Sequence, residues 1–276
     1  MRTSEETLAA LRSKPHYGIE DLLQIMQVLR SENGCPWDKE QTHKSIRQDF
    51  LEECYEAVEA IDADSVPMMR EELGDVLLQV VFHCQIETEQ SHFTFDDICD
   101  ELCRKLVVRH PHVFGNVNVS DSAEVLKNWD SIKQETKHQT TAADTLDSVC
   151  KALPALMYAQ KLGKRAGRAG MDWNNAEDAF SYIRKETDEL EDAMQSGQQE
   201  QIEEELGDLL FSCVNTARHL NIDAETALRA AAEKFRKRFA ETERLVTADG
   251  KEMSGLPIET LDRYWEIAKK ASDGQK

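Results

Sequence analysis

Apolar residues recur along most of this chain at spacings of three and four, the pattern of amphipathic helices. The spacing predicts helices over about 19–30, 42–62, 67–89, 95–108 and 121–137. A second set is predicted over about 153–168, 176–195, 200–220, 224–248 and 259–271. Asn33-Gly34-Cys35-Pro36 ends the first helix through turn chemistry and the missing proline donor. Arg109-His110-Pro111-His112 ends the fourth, because a residue before proline avoids the helical region. No stretch shows a convincing strand alternation, and 116–119 is too short to count. The expected class is all-α, with two tandem helical-bundle domains. The polar, threonine-rich stretch from His138 reads as a linker, so the expected boundaries are 1–137, 138–150 and 151–276.

Two helices of the second set draw the chemistry together. Glu186 and Glu189 are three apart, as are Glu205 and Asp208, so each pair sits on one helix face. The short loop around Ser196 and Gly197 returns the second helix antiparallel to the first. At 100° per residue, Phe180, Ile183, Leu190 and Met194 form an apolar stripe. Glu186 and Glu189 lie about 60° and 120° to one side of it. Ile202, Leu206, Leu209 and Cys213 place Glu205 and Asp208 at the same offsets. Acids beside an apolar stripe are ordinarily a solvated face. Four carboxylates facing one another, however, repel unless a cation sits between them, and hard oxygen donors suit Mg²⁺ or Mn²⁺. Spacing alone leaves both readings open.

The same plan occurs earlier in the chain. Glu53 and Glu56 match Glu186 and Glu189 at an offset of 186 − 53 = 133, and Glu72 and Asp75 match Glu205 and Asp208 at the same offset. Glu-Glu-Leu-Gly-Asp stands at 71–75 and again at 204–208. Phe50, Cys54, Ala57 and Ile61 repeat the stripe. Lys105 and Arg109 match Lys234 and Arg238, and Trp129 and Lys133 match Trp265 and Lys269. Matching features in one order twice mark an internal repeat with small loop insertions.

Composition narrows the function classes. A net charge of −20 disfavours direct nucleic-acid binding, which needs clustered Lys and Arg. An anionic substrate would have to come with a metal. No apolar run approaches a membrane span, and residues 1–14 show no secretory pattern. The seven cysteines form no Cys-x-x-Cys pair, so reduced, mostly buried thiols in a cytoplasmic protein are expected. Neither a Gly-x-x-x-x-Gly-Lys loop nor a Gly-x-Ser-x-Gly elbow is present. A di-iron bundle would need Glu-x-x-His, and here the position three after each leading acid is Glu or Asp.

Lys234 and Arg238 share a helix face in an acidic chain, and their recurrence as Lys105 and Arg109 favours phosphate contacts over a merely solvated pair. Trp173 and Trp265 either stack on a base or cap the core. His83, on an apolar helix, reads as a core histidine, and His110 and His112 as structural or surface groups.

Taken together, the motifs resemble a known family. They are Glu52-Glu53-x-x-Glu56, then Glu72-x-x-Asp75, with Asn33-Gly34-Cys35-Pro36-Trp37-Asp38 before and Arg109-His110-Pro111-His112-Val113-Phe114 after. This combination resembles the MazG family of all-α nucleoside triphosphate pyrophosphohydrolases. Leu153-Pro154-Ala155-Leu156 and Met171-Asp172-Trp173 resemble the start of its second domain. One departure is visible: the leading glutamate is Glu52 in the first half but Lys185 in the second. The resemblance implies Mg²⁺-dependent hydrolysis of a nucleoside triphosphate to the monophosphate and pyrophosphate. Glu186, Glu189, Glu205 and Asp208 would hold the metal, with Glu53, Glu56, Glu72 and Asp75 as the first-half counterpart. Glu189 and Glu205 are the catalytic candidates, with the general base unassigned between the carboxylates. Lys234 and Arg238 would hold pyrophosphate, and Trp265 would stack on the base with little selectivity. A homodimer and a working second half are also expected. The competing reading is a non-enzymatic helical interaction module with degenerate metal sites.

Overall fold

The computed structural model describes residues 5–122, 124–125, 128–129, 131–132 and 140–273. Among these residues there are thirteen defined helices and no strand. They fall into two compact units, Met1–Ile132 and Lys133–Lys276. The first holds α1 Glu5–Ser13, α2 Ile19–Leu29, α3 Pro36–Glu40, α4 Arg47–Asp62, α5 Val66–Glu89, α6 Phe95–Arg109 and α7 Pro111–Phe114. The second holds α8 Ala142–Asp147, α9 Ala155–Arg168, α10 Ala176–Ser196, α11 Gln199–His219, α12 Ala224–Ala248 and α13 Ile258–Asp273. No described helix is long and apolar enough to cross a membrane.

In each unit the acid-bearing helices pack on each other as a hairpin, α4 on α5 and α10 on α11. Each turn uses one left-handed residue. Asp64 takes φ 49° in the first unit and Gly197 takes φ 69° in the second, 197 − 64 = 133 residues later. Glycine adopts this region without a Cβ penalty, and aspartate is among the few other residues that visit it.

A third helix backs each hairpin: α2 packs on α5, and α9 on α11. In the first unit Met26, Ile46, Val81, Phe82 and Ile86 form a buried cluster, with Leu22, Leu78 and Phe95 against it. Arg30 ties its edges together. Its guanidinium donates to Glu89 at 2.9 Å and to the Gln41 carbonyl at 3.2 Å, and lies 5.3 Å from the Phe82 ring centroid. In the second unit small residues let helices approach closely. A Cβ at Gly163 of α9 would lie 2.4 Å from Asn215 Oδ1 on α11.

The boundaries differ from the periodic pattern where local side chains compete for the backbone. The helix expected from 42 starts at Arg47, because Thr42 and Ser45 fold a turn on their own hydroxyls. Pro36 and Pro111, read as stops, also open the short helices α3 and α7, since proline suits the first helical position. Part of the expected helix over 121–137 lies outside the described residues. The expected linker over 138–150 contains α8, capped by Thr141 and Asp144 and packed on α9. Arg165 of α9 holds it through the Thr145 carbonyl and the Ser148 hydroxyl. The expectation of mostly buried cysteines is corrected: all seven are free, but only Cys84 is buried. The helix faces bury a narrower stripe than the pattern implies.

His83 is a networked group rather than an isolated core histidine. Its Nδ1 meets His43 Nδ1 at 2.7 Å, His43 Nε2 meets Glu87 at 2.5 Å, and Glu87 meets His92 Nδ1 at 2.7 Å. Only one proton fits between the two Nδ1 atoms, so one ring must stay a neutral acceptor. Burial, then the charge of His43, pushes the His83 pKa down. Hydrogen bonds from His92 and His43 pull Glu87 down. A folded pKa below the unfolded one contributes stability above the unfolded value and withdraws it as pH falls. His83 should therefore withdraw stability from the first unit as pH drops below about 6.5. Hydrogen exchange of the α5 amides against pH measures this. His83→Thr, which copies Thr216 one repeat later, should flatten that step; an unchanged profile would refute it.

Candidate metal centre and adjoining cavity

The hairpins bring their acids together by packing α4 on α5 and α10 on α11. The expected apolar stripes are only partly covered: Ala57 is buried, but Ile61, Phe180, Met194, Leu206 and Cys213 are exposed. In the second unit Glu186 is buried, and oxygens of Glu186, Glu205 and Asp208 lie within 4.8 Å of one another. In the first unit Glu53, Glu56 and Glu72 do the same. Asp75 stands beside that triplet and its charge acts on Glu53. Glu189 is held differently: Lys185 Nζ reaches its carboxylate at 2.8 Å and Glu186 at 3.6 Å. Where the first unit has Glu52, exposed and bonded to Gln48 at 3.4 Å, the second places a cation against its own acids.

The protonation energetics follow. Burial, then Glu189 and Asp208, pushes Glu205 up. Burial, then Asp75 and Glu56, pushes Glu53 up, and burial with Glu56 does the same to Glu72. Lys185 pulls Glu189 down. Carboxylates pressed together against their own repulsion, with hard oxygen donors, fit a divalent cation of the Mg²⁺ type. Both triplets meet that test.

The second unit also holds a cavity of about 810 Å³. Trp173, Tyr182, Phe211 and Met171 supply its apolar wall, and Asp172 and Asn174 part of its polar one. Tyr182 is four residues before Glu186 on α10, and Phe211 three after Asp208 on α11. Residues at these spacings are neighbours on a helix surface, so α10 and α11 supply both the acids and part of the cavity lining.

The remaining expected site residues lie on other helices of their units. Lys234 and Arg238 lie on α12, which packs chiefly on α13. Trp265 of α13 packs against Phe235, ring centroids 5.1 Å apart. Lys105 is exposed on α6, and Arg109 lies over the Trp129 ring at 5.3 Å. The structure also adds residues that spacing did not single out. Arg218 and His219 both bond Asp172. They stand 46 and 47 residues from it, and no local signal links such positions.

The model of the MazG nucleotide pyrophosphohydrolase domain matches residues 41–114 and 175–241, ranges that include the two acid-bearing hairpins. The chain is 47% identical over 255 residues to the nucleoside triphosphate pyrophosphohydrolase of Escherichia coli K12, covering 91% of this chain and 97% of that one. It is 45% identical over 250 residues to the nucleoside triphosphate pyrophosphohydrolase/pyrophosphatase MazG of Thermotoga maritima, covering 91% and 95%. It is 44% identical to the uncharacterized protein YabN of Bacillus subtilis, covering 89% of this chain and half of that protein. An all-α chain with paired acidic hairpins of this kind defines a class of nucleotide pyrophosphohydrolase domains. The chain belongs to the MazG family.

The raised acids make a stability prediction. A folded pKa above the unfolded one contributes stability at low pH that is lost as pH rises through it. At neutral pH without metal, the charged cluster therefore opposes folding. Glu205→Gln should raise the melting temperature of the metal-free protein. Mg²⁺ should raise that of the wild type more than that of the variant, since binding to the folded state alone stabilises it. Differential scanning fluorimetry with and without Mg²⁺ checks both signs.

Proposed function

We propose that the chain hydrolyses nucleoside triphosphates, ribo- or deoxyribo-, to the monophosphate and pyrophosphate at its second unit, with Mg²⁺, or Mn²⁺ in its place. The observation that carries this reading is the Glu186, Glu205 and Asp208 triplet on α10 and α11, the two helices that also supply Tyr182 and Phe211 to a cavity walled by Trp173. Family membership and the printed names of the Escherichia coli and Thermotoga relatives support it. Phosphoryl transfer asks a protein mainly for positioning and charge neutralisation. A divalent ion held by the triplet supplies neutralisation of phosphate charge and activation of water.

The chain's own groups do the rest. Water attacks the α-phosphorus, and the bond from that phosphorus to the α–β bridging oxygen breaks. The oxygen leaves with pyrophosphate, and the proton of the water goes to a carboxylate. Glu189 fits that role once Lys185 is drawn from it by the incoming phosphates. Losing the lysine raises its proton affinity, which a base at neutral pH requires. Lys234 and Arg238 receive the pyrophosphate, while Trp173 and Trp265 offer base-tolerant aromatic faces. The cavity is within the 300–1,000 Å³ range of small-molecule sites. Such an activity would clean or regulate the nucleotide pool. Lys185 lowers the negative charge that a triphosphate meets in the second unit, whereas Glu52 adds to it in the first.

Purified protein with Mg²⁺ and an NTP should release pyrophosphate and NMP, and EDTA should abolish turnover. Orthophosphate with NDP would overturn the α-phosphorus reading. Glu205→Gln should cost on the order of 10²-fold or more in kcat, the usual effect of losing a charge-stabilising group. Glu72→Gln should keep most activity. The opposite result would move the working site to the first unit, and silence of every variant would favour the non-enzymatic module.

We also propose a homodimer. Leu228, Phe235 and Phe239 form one stripe on α12, and Leu228 and Phe235 are each 58% exposed. Such an uncovered stripe seeks a partner helix, and a twofold copy is the commonest one. Light scattering at micromolar concentration should give twice the 31.4 kDa of one chain, and a fully active monomer would exclude the dimer.

A further inference from the structure

We propose that Asp172, clamped by Arg218 and His219, is a positioning device that sets Trp173 in the cavity wall and thereby governs nucleobase affinity rather than chemistry. This rests on the reading of the cavity as the nucleobase site. Trp173 sits on the connection between α9 and α10, where no helical ladder fixes its backbone. Its own N–H donates to Asp172 Oδ1 at 2.9 Å. The same oxygen takes Arg218 Nη2 at 2.5 Å and His219 Nε2 at 2.9 Å, and Oδ2 takes Arg218 Nη1 at 2.9 Å. A two-pronged Arg–carboxylate contact fixes orientation as well as distance. Arg218 also pulls the Asp172 carboxyl well below the usual carboxylate range, so the clamp stays charged near neutrality.

The surroundings are shaped for this carboxylate. A Cβ at Gly167 would lie 2.3 Å from Asp172 Oδ2, so α9 leaves room for it. Arg218 Nε in turn donates to Oδ1 of the buried Asn215 at 3.4 Å. The Trp173 ring meets Tyr182 at 75° and His219 at 84°, so neither stacks parallel on it. A flat base is a partner of the kind such a ring takes in parallel.

The clamp is also tied to the chemistry. Arg218, His219, Glu205 and Asp208 all lie on α11, so one rigid rod sets the spacing from base to phosphates. Asp208 and Arg218 are ten residues apart, about 15 Å along a helix. The first unit has no such device at the equivalent places. Gln85 and Ile86 stand 133 residues before Arg218 and His219, and Trp37 packs edge-on against Phe82. The clamp thus marks the second unit as the nucleotide-binding one.

The test is steady-state kinetics on the full chain with Mg²⁺ and an NTP, with inorganic tripolyphosphate as a base-free competitive inhibitor. Trp173→Ala should raise KM about tenfold or more, as loss of a base–aromatic stack does. Asp172→Asn and Arg218→Lys should each raise KM about fivefold, with kcat within about twofold and the tripolyphosphate Ki unmoved, because lysine lacks the fork. In the Trp173→Ala background, Asp172→Asn should add nothing. A parallel rise in Ki, an equal loss in kcat, or full additivity would reduce the clamp to ordinary structure and overturn the inference. Arg218→Lys keeps both charges and remains readable if Asp172→Asn does not fold. A Trp173→Ala variant with normal KM would instead sink the nucleobase reading itself. A Trp173 effect without any Asp172 or Arg218 effect would overturn the clamp alone.

Discussion

Mutual repulsion of carboxylates, enforced by packing, is the constraint around which each unit is built. Packing α10 on α11 brings Glu186, Glu205 and Asp208 together. The hydrophobic gain of closing the hairpin thus holds three negative charges within 4.8 Å. The stress appears in the elevated proton affinity of Glu205, Glu53 and Glu72. A site that is unfavourable when empty of cations is well prepared to bind one, because binding then removes the repulsion.

The two units answer that constraint with one hairpin and different backing. The first braces α5 with a chain of His43, His83, Glu87 and His92. The second has Thr216 at the position equivalent to His83, its hydroxyl bonded to the Ser212 carbonyl. It braces α11 on Asp172 instead. The first places Glu52 outside its cluster, and the second places Lys185 against Glu186 and Glu189. Near-identical acid motifs therefore stand in electrostatically unlike surroundings. That difference, more than ligand count, is the ground on which the second unit is proposed as the triphosphate site.

Stability and function also share parts in the second unit. Asn215 sits against Gly163, holds Arg218 and lines the cavity, so a small change in the approach of α9 to α11 reaches the cavity wall. Close-packed interiors transmit such shifts rather than absorbing them.

The sequence by itself determined the all-α class, the internal repeat, the two hairpins and the acids that face each other across them. These follow from spacings of three and four within single helices and from short turns, which are local geometry. The family was legible for the same reason, since its motifs are runs of neighbouring residues. Tertiary structure alone decided the rest. It brought Glu186 of one helix within 4.8 Å of Glu205 and Asp208 of the next. It set Lys234, Arg238 and Trp265 on the α12–α13 pair while walling the cavity with Trp173, Tyr182 and Phe211. It brought Arg218 and His219 to Asp172 across 46 and 47 residues. Contacts between helices depend on where each helix lies and how it is rotated, and no pattern within one helix encodes that.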